Sequence, residues 1–253
     1  MSDTILDVAN ALTSADHAVA FTGAGMSTAS GIPDFRSEGG IWDQFDQSEF
    51  HYQRFKRDPA GFWEKRLELY ETVFGDGVAP NPAHEALSNL ETLGVVETVI
   101  TQNIDNLHTE AGSDSVIEIH GNGKRVACED CGERFPLETA RELIESGELP
   151  PRCESCGGLL KPDVVLFGEM LPELQMQQAR SHANDSDIFL AIGSSLSVEP
   201  AASLPRIAKR TGSTLVIINL DPTGLSEMAD YEFREDVTTV LPAIEREASR
   251  LLE

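Results

Sequence analysis

Cys128, Cys131, Cys153 and Cys156 are the only cysteines among 253 residues, and they fall within about thirty of one another. They form two Cys-x2-Cys pairs separated by 21 residues. Four thiolates spaced this way suit one tetrahedral zinc ion. The gap slightly exceeds the usual range, so the piece between the pairs reads as an insert. Four ligands leave no open position, which makes the ion structural rather than water-activating. A zinc ribbon that binds nucleic acid is the rival for this module alone, and the acidic surround argues against it. His120, followed by Gly121, offers different chemistry, because a neutral imidazole can take a proton near pH 7 and return it. The bland alternative is a histidine satisfied at a strand end, and the other five histidines take that structural reading. Gly23-Ala24-Gly25 opens a third possibility, since a strand, G-x-G and a helix let backbone N–H groups meet a diphosphate. The third glycine of that pattern is replaced by Thr28, and an ordinary tight turn is the alternative.

These groups need a frame, and the hydrophobic pattern supplies one. Apolar runs at 18–21, 95–101, 115–120, 163–167, 187–193 and 213–219 read as strands. Helical spacing occupies the first turns after Asp3 or Thr4, residues 80–94, roughly 172–184, and a last segment with Val240, Leu241, Ile244, Ala248 and Leu251. Residues 41–74 are aromatic, charged and helical, without strand signals. Residues 122–160 carry the cysteines, short turns and one helix-like piece. Strands alternating with helices predict an α/β chain with a doubly wound parallel sheet covered on both faces. Ligands of such sheets bind beyond the carboxyl ends of the strands. Those ends carry Gly23-Ala24-Gly25, Gln102-Asn103-Ile104-Asp105, His120-Gly121, Gly193-Ser194-Ser195 and Asn219. A dehydrogenase of this architecture also needs an acidic residue closing its second strand. Asp43 has the distance but no strand before it, which weakens that reading.

Composition narrows the class. Hydrophobic residues make up 40% and charged residues 25%, enough for a sizeable core. The formal net charge is -24, with five lysines against fourteen arginines and the acid spread along the chain. Such a surface repels nucleic acid. It also fits adaptation to high salt, where screening relieves self-repulsion; an acidic mesophilic surface is the alternative. The start Met1-Ser2-Asp3 has no basic or apolar signal segment, and no run approaches a membrane span. A cytoplasmic chain without membrane association is expected.

"GAGMSTASGIPDFR" (23–36), "TQNIDNLH" (101–108), "HG" (120–121), the cysteine pairs, "KPDVVLFGE" (161–169), "GSSLSVEP" (193–200) and Asn219 occur in the order found in the sirtuins. The chain resembles archaeal and bacterial members of that family of NAD-dependent protein-lysine deacylases. The resemblance implies a Rossmann-like domain over 1–36, 81–121 and 161–253. It also implies a small domain made of a helical insert (37–80) and a zinc-binding insert (122–160), with NAD and peptide in the cleft between. It places Gly23, Ala24 and Ser27 at the cofactor loop. Asp34 shapes that loop, Phe35 shields the reactive ribose face and Arg36 helps hold the phosphates. Gln102 lies near the ribose, Ile104 joins the cofactor-binding set, Asn103 positions the ribose hydroxyls or a water, and Asp105 binds the carboxamide of nicotinamide. Gly193, Ser194 and Ser195 contact phosphate and adenosine ribose. Asn219, Leu220 and Asp221 meet that ribose, and Val237 falls at the adenine wall.

By the same resemblance, the acyl oxygen of acetyl-lysine attacks C1′ of the nicotinamide ribose and nicotinamide leaves. His120 then acts as general base on the ribose hydroxyls, with Asn103 assisting, and water completes the reaction. The products are lysine, nicotinamide and 2′-O-acetyl-ADP-ribose. The peptide adds as a strand between Val164, Val165, Phe167, Gly168, Glu169 on one side and Val198 on the other, an edge-strand mode that asks little of sequence. Phe35 and Val164 are candidate tunnel walls. Relatives that prefer acidic acyl chains carry Tyr-x-x-Arg where this chain has Trp63-Glu64-Lys65-Arg66. Trp63 and Arg66 therefore enter as acyl-binding candidates, with acetyl favoured and succinyl or malonyl left open. Mono-ADP-ribosyl transfer is a second reading, and a nucleotide-sensing scaffold without turnover is a third. The expected partners are acetylated protein lysines.

Overall fold

The computed structural model describes residues 2–35, 37–75 and 77–253. Arg36 lies outside them. Helix α1 (Ser2–Ser14) leads into strand β1 (Ala18–Thr22). Among the described residues no long helix follows the glycine loop, contrary to expectation. Two short 3-10 turns, Ala24–Met26 and Thr28–Ser30, stand there instead. Then come α2 (Ile41–Gln44), α3 (Tyr52–Arg57), α4 (Pro59–Val73) and α5 (Pro82–Thr92). Helix α5 opens at Asn81, whose side chain accepts from the N–H groups of Ala83 and His84, with Pro82 in the first turn where no N–H is needed.

The chain continues through β2 (Thr98–Thr101), α6 (Leu107–Glu110), β3 (Val116–Glu118), β4 (Gly121–Cys128), β5 (Arg134–Pro136), α7 (Leu137–Glu145) and β6 (Leu160–Val164). It ends with α8 (Glu173–Asp185), β7 (Ile188–Ile192), α9 (Leu204–Thr211), β8 (Thr214–Ile218), β9 (Tyr231–Phe233) and α10 (Val237–Leu252). No described helix is long and apolar enough to cross a membrane.

Six parallel strands form the main sheet in the order β3-β2-β1-β7-β8-β9. Alternate residues of the central strands feed opposite layers, as a two-residue period requires. Ala18, Ala20, Ile188, Leu190, Val216 and Ile218 face α1, α5 and α10. Val19, Phe21, Phe189, Ala191, Leu215 and Ile217 face α8 and α9. Each fully buried Leu or Ile of these layers contributes about 1.5–3 kcal/mol relative to exposure. The strand order reverses between β1 and β7, and a crevice opens there at the carboxyl ends.

The second sheet is antiparallel, β5-β4-β6. Its presence corrects the strand expected at 163–167. The strand is Leu160–Val164 and pairs with β4 in the small sheet, not the parallel one. Likewise the run 95–101 is a strand only over Thr98–Thr101, because Val95 and Val96 bond back to α5. The aromatic face of α3 and α4 (Phe55, Phe62, Trp63, Tyr70) packs on Val126, Leu137, Leu160 and Val164, so the helical and cysteine-bearing inserts share one core.

Candidate active site

At the crevice the glycine loop and the end of β7 are pressed together. The Gly23 N–H donates to the Ile192 carbonyl (3.0 Å) and the Gly25 N–H to the Gly193 carbonyl (2.8 Å). A side chain at Gly193 would meet the Met26 nitrogen at 2.4 Å, and Gly193 also sits at φ +57, a left-handed backbone that favours glycine. From behind, Asn81 steadies the same loop by donating to the Met26 carbonyl (2.8 Å) and the Ser30 hydroxyl (3.0 Å).

The β2 end joins this loop through buried polar groups. The Asn103 amide donates to the Gly23 carbonyl (3.0 Å) and to Ser27 Oγ (3.1 Å), and the Ser27 hydroxyl donates in turn to Asp105 Oδ2 (2.7 Å). Asp105 also accepts from the Leu107 N–H (2.9 Å). Burial nonetheless holds its carboxyl above the usual range, against the pull of those two donors. Gln102 Nε2 reaches Ser194 Oγ at 2.9 Å, tying β2 to the β7 loop.

His120 is held by one contact that decides its chemistry. Its Nδ1 lies 2.9 Å from the Gln102 carbonyl. A carbonyl only accepts, so Nδ1 carries the proton and Nε2 is left as the basic nitrogen. Burial depresses the imidazole pKa and that hydrogen bond partly restores it, with a net lowering. Burial thus favours the neutral form of the ring. Gly121 behind it has φ +79, and a side chain there would strike the Asp163 carbonyl at 2.1 Å.

One cavity of about 640 Å³ gathers most of the residues singled out from sequence. Its wall includes Gly23, Ala24, Asp34, Phe35, Gln102, Asn103, Ile104 and His120. The β7 and β8 ends add Gly193, Ser194, Ser195, Asn219, Leu220 and Asp221, and α10 adds Val237. Val164, Val165, Phe167, Gly168, Glu169, Val198 and Arg66 line it too. Ser27 and Asp105 do not; they line a recess of about 20 Å³ that shares Ala24, Phe35, Asn103 and Ile104 with the cavity.

Trp63 departs from expectation. It is fully buried in the small-domain core and its indole N–H donates to the Leu160 carbonyl (3.0 Å), away from the cavity. Arg66, three residues on, does reach the wall. It stacks on Tyr70, 4.7 Å from the ring centroid, and its Nε and Nη2 have no hydrogen-bond partner among the described residues. Sequence reading missed Trp42, Leu69, Val73, Glu199 and Asp236, which also line the cavity. Trp42 packs between Phe35 (5.5 Å) and Phe167 (5.3 Å) with its ring tilted against both. An aromatic amid polar residues after the glycine loop was the only hint.

The four cysteine sulfurs lie within 4.8 Å of one another, with Cys128 and Cys156 at 3.4 Å and Cys131 and Cys153 at 3.8 Å. Sulfurs bound to one tetrahedral zinc at about 2.3 Å stand roughly 3.8 Å apart, so the set fits such an ion. All four cysteines are free of disulfides.

Residues 23–200 match the Sir2 family. The chain is 54% identical to an "NAD-dependent protein deacetylase" of Haloarcula marismortui over 96% of this chain and 94% of that protein. It is 44% identical to "NAD-dependent protein deacylase 2" of Archaeoglobus fulgidus, over 99% and 98%. Among solved structures, one described as a Sir2 homolog–NAD complex superposes with a TM-score of 0.88 at 38% identity, covering 98% of this chain and 94% of that one. Another, described as "Sir2-p53 peptide-NAD+", gives 0.86 at 36% identity, covering 96% and 98%.

Proposed function

The chain belongs to the Sir2 family, and from that premise we propose that it is an NAD-dependent protein-lysine deacetylase. It converts acetyl-lysine, NAD and water to lysine, nicotinamide and 2′-O-acetyl-ADP-ribose. The observation that carries this reading is a histidine with a fixed tautomer, His120, on the wall of a cavity ringed by five strand ends of small and polar residues. Relatives named as deacetylases favour acetyl over succinyl or malonyl, and deacylation over ADP-ribosyl transfer to protein.

Each residue's part follows from its chemistry. His120 Nε2 takes a proton from a ribose hydroxyl and Nδ1 holds the ring through Gln102. Asn103 spends both amide hydrogens on the loop, so its Oδ1 is the atom that remains to orient a hydroxyl or water. Asp105, braced by Ser27, accepts from the carboxamide of nicotinamide. Ala24, with its backbone N–H, and Ser194 and Ser195, with their hydroxyls, cradle phosphates, while Gly23 and Gly193, whose N–H groups are bonded to the Ile192 and Ile218 carbonyls, let the backbone come close. Phe35 excludes water from one ribose face, with Arg36 assigned to the phosphates and Asp34 to the loop between. Asn219, Leu220, Asp221 and Val237 form the adenosine end. Val164–Glu169 and Val198 flank the peptide, and Arg66 closes the acyl end.

Cys128, Cys131, Cys153 and Cys156 would hold one zinc ion, which supplies structural cross-linking and no reaction step. The division into a nucleotide-binding domain (1–36, 81–121, 161–253) and a small domain (37–80, 122–160) is our reading, supported by the shared core of the two inserts. Acetylated protein lysines are the substrates, and the -24 charge disfavours nucleic acid. Free thiols fit a cytoplasmic setting. A saline one fits the charge and the relative from a halophile.

The test is mass spectrometry of NAD and an acetyl-lysine peptide with the protein and with His120→Ala, in low and molar salt. Equal amounts of deacetylated peptide and 2′-O-acetyl-ADP-ribose, lost in the variant, are expected. No nicotinamide release in any salt would replace this reading with that of a non-catalytic NAD-binding scaffold.

A further inference from the structure

The segment that leaves β6, Val164 to Glu169, is held from behind by one ion pair. The Lys161 ammonium donates to the Val164 carbonyl (2.8 Å), the Pro162 carbonyl (3.2 Å) and Glu169 Oε2 (3.1 Å). Those three contacts use all its N–H groups. The same Glu169 oxygen accepts the Leu166 N–H at 2.7 Å. Only 12% of the Lys161 side chain is exposed, whereas the other four lysines of the chain stand at 46%, 47%, 41% and 27%. A lysine withdrawn this far from water is rare unless its charge is paired and its donors are used.

The other backbone groups of the segment divide cleanly. The Val165 N–H bonds the His120 carbonyl (2.9 Å), and Phe167 exchanges bonds with Phe50 (3.2 Å) and Tyr52 (2.9 Å). Among the described residues, the Val165 carbonyl and the Gly168 N–H take no partner. Both residues line the cavity. The segment therefore presents free main-chain groups to the cavity, the Val165 carbonyl and the Gly168 N–H together with the Gly168 and Glu169 carbonyls, while its inward groups are occupied by Lys161 and Glu169.

We propose that the Lys161–Glu169 pair is a clasp that sets the shape of the peptide-docking strand, making Lys161 a positioning residue for the acylated peptide and not for NAD. The proposal rests on the reading that Val164–Glu169 receives the peptide main chain. Without the ammonium, the Val164 and Pro162 carbonyls and the Glu169 carboxylate are three acceptors facing one vacated donor site. They repel, Glu169 leaves, and the Leu166 N–H loses its acceptor. The free groups at Val165 and Gly168 then lose their spacing, and main-chain recognition weakens for every peptide sequence alike. NAD contacts on the β1, β2 and β7 ends are unaffected, since Lys161 touches none of them.

Initial rates of wild type, Lys161→Met and Lys161→Arg, with acetyl-peptide and NAD varied separately and melting temperatures alongside, test this. Wild-type turnover is read first. No deacetylation by the wild type overturns the functional reading itself, and the clasp with it. With turnover, Lys161→Met is expected to raise the peptide KM about tenfold or more while kcat and the KM for NAD stay within about twofold. Lys161→Arg should recover most of the loss, because a guanidinium still supplies several donors. An unchanged peptide KM in Lys161→Met overturns the clasp. So does an equal loss against NAD with a fallen melting temperature that arginine does not restore. If Lys161→Met does not fold, Glu169→Gln decides. Its amide oxygen still accepts the Leu166 N–H without a charge for Lys161, so a peptide KM raised about threefold supports the clasp and an unaltered one refutes it.

Discussion

The proton on Nδ1 of His120 is the smallest feature with a consequence for rate. A base must be neutral to act, and burial moves this imidazole below its ordinary value of about 6.5. The acid limb of activity limited by His120 should have its midpoint below pH 6.5, read as kcat/KM against pH. A limb at or above 6.5 would assign that titration elsewhere. Gly193 carries the second expectation at this scale. Gly193→Ala should cost at least tenfold in NAD affinity by calorimetry, and about 1–3 kcal/mol of stability, because its side chain would collide with the Met26 nitrogen from a left-handed backbone. Residues such as these were legible because their signals are local. A glycine pair, a histidine after a strand and paired cysteines announce themselves within a few positions. Trp63 was not legible, since three-residue spacing put it on one helix face with Arg66 while the small sheet drew the indole inward to Leu160.

At the scale of elements, the parallel strands were readable from continuous apolar runs, and the small sheet was not. "DVVLF" has the composition of a buried parallel strand. Its pairing with β4 depends on the cysteine-bearing insert bringing Leu160–Val164 alongside Gly121–Cys128. The 3-10 turns after the glycine loop were hidden for a related reason: contacts with Asn81 and Gly193 fix that backbone. The insert also predicts how the protein responds to metal loss. A strong chelator should remove about one zinc per chain and leave the small domain without its cross-link. Trp63, buried in that domain's core, is the reporter. Its fluorescence should shift to the red and activity should vanish while far-ultraviolet circular dichroism keeps the signal of the parallel sheet. A metal content of zero in active protein would contradict the assignment of the cysteines.

For the molecule as a whole, charge dominates. At -24 the surface repels itself, and salt shortens the range of that repulsion from about 10 Å at 0.1 M to about 3 Å at 1 M. The melting temperature should rise steadily over that interval by calorimetry; a flat response would mean that the carboxylates are already offset by local partners. Connectivity adds a constraint of another kind. The helical insert closes at Val73, but the strand that covers its aromatic face ends only at Val164, about ninety residues later. At synthesis rates of roughly 5–20 residues per second, Phe55, Phe62, Trp63 and Tyr70 wait on the order of 5–20 seconds for their cover. The ribosome thus delivers the most aromatic surface of this protein early and buries it late. That interval is when a chaperone has most to do, and when scarcity of zinc would be felt as aggregation before it is felt as lost catalysis.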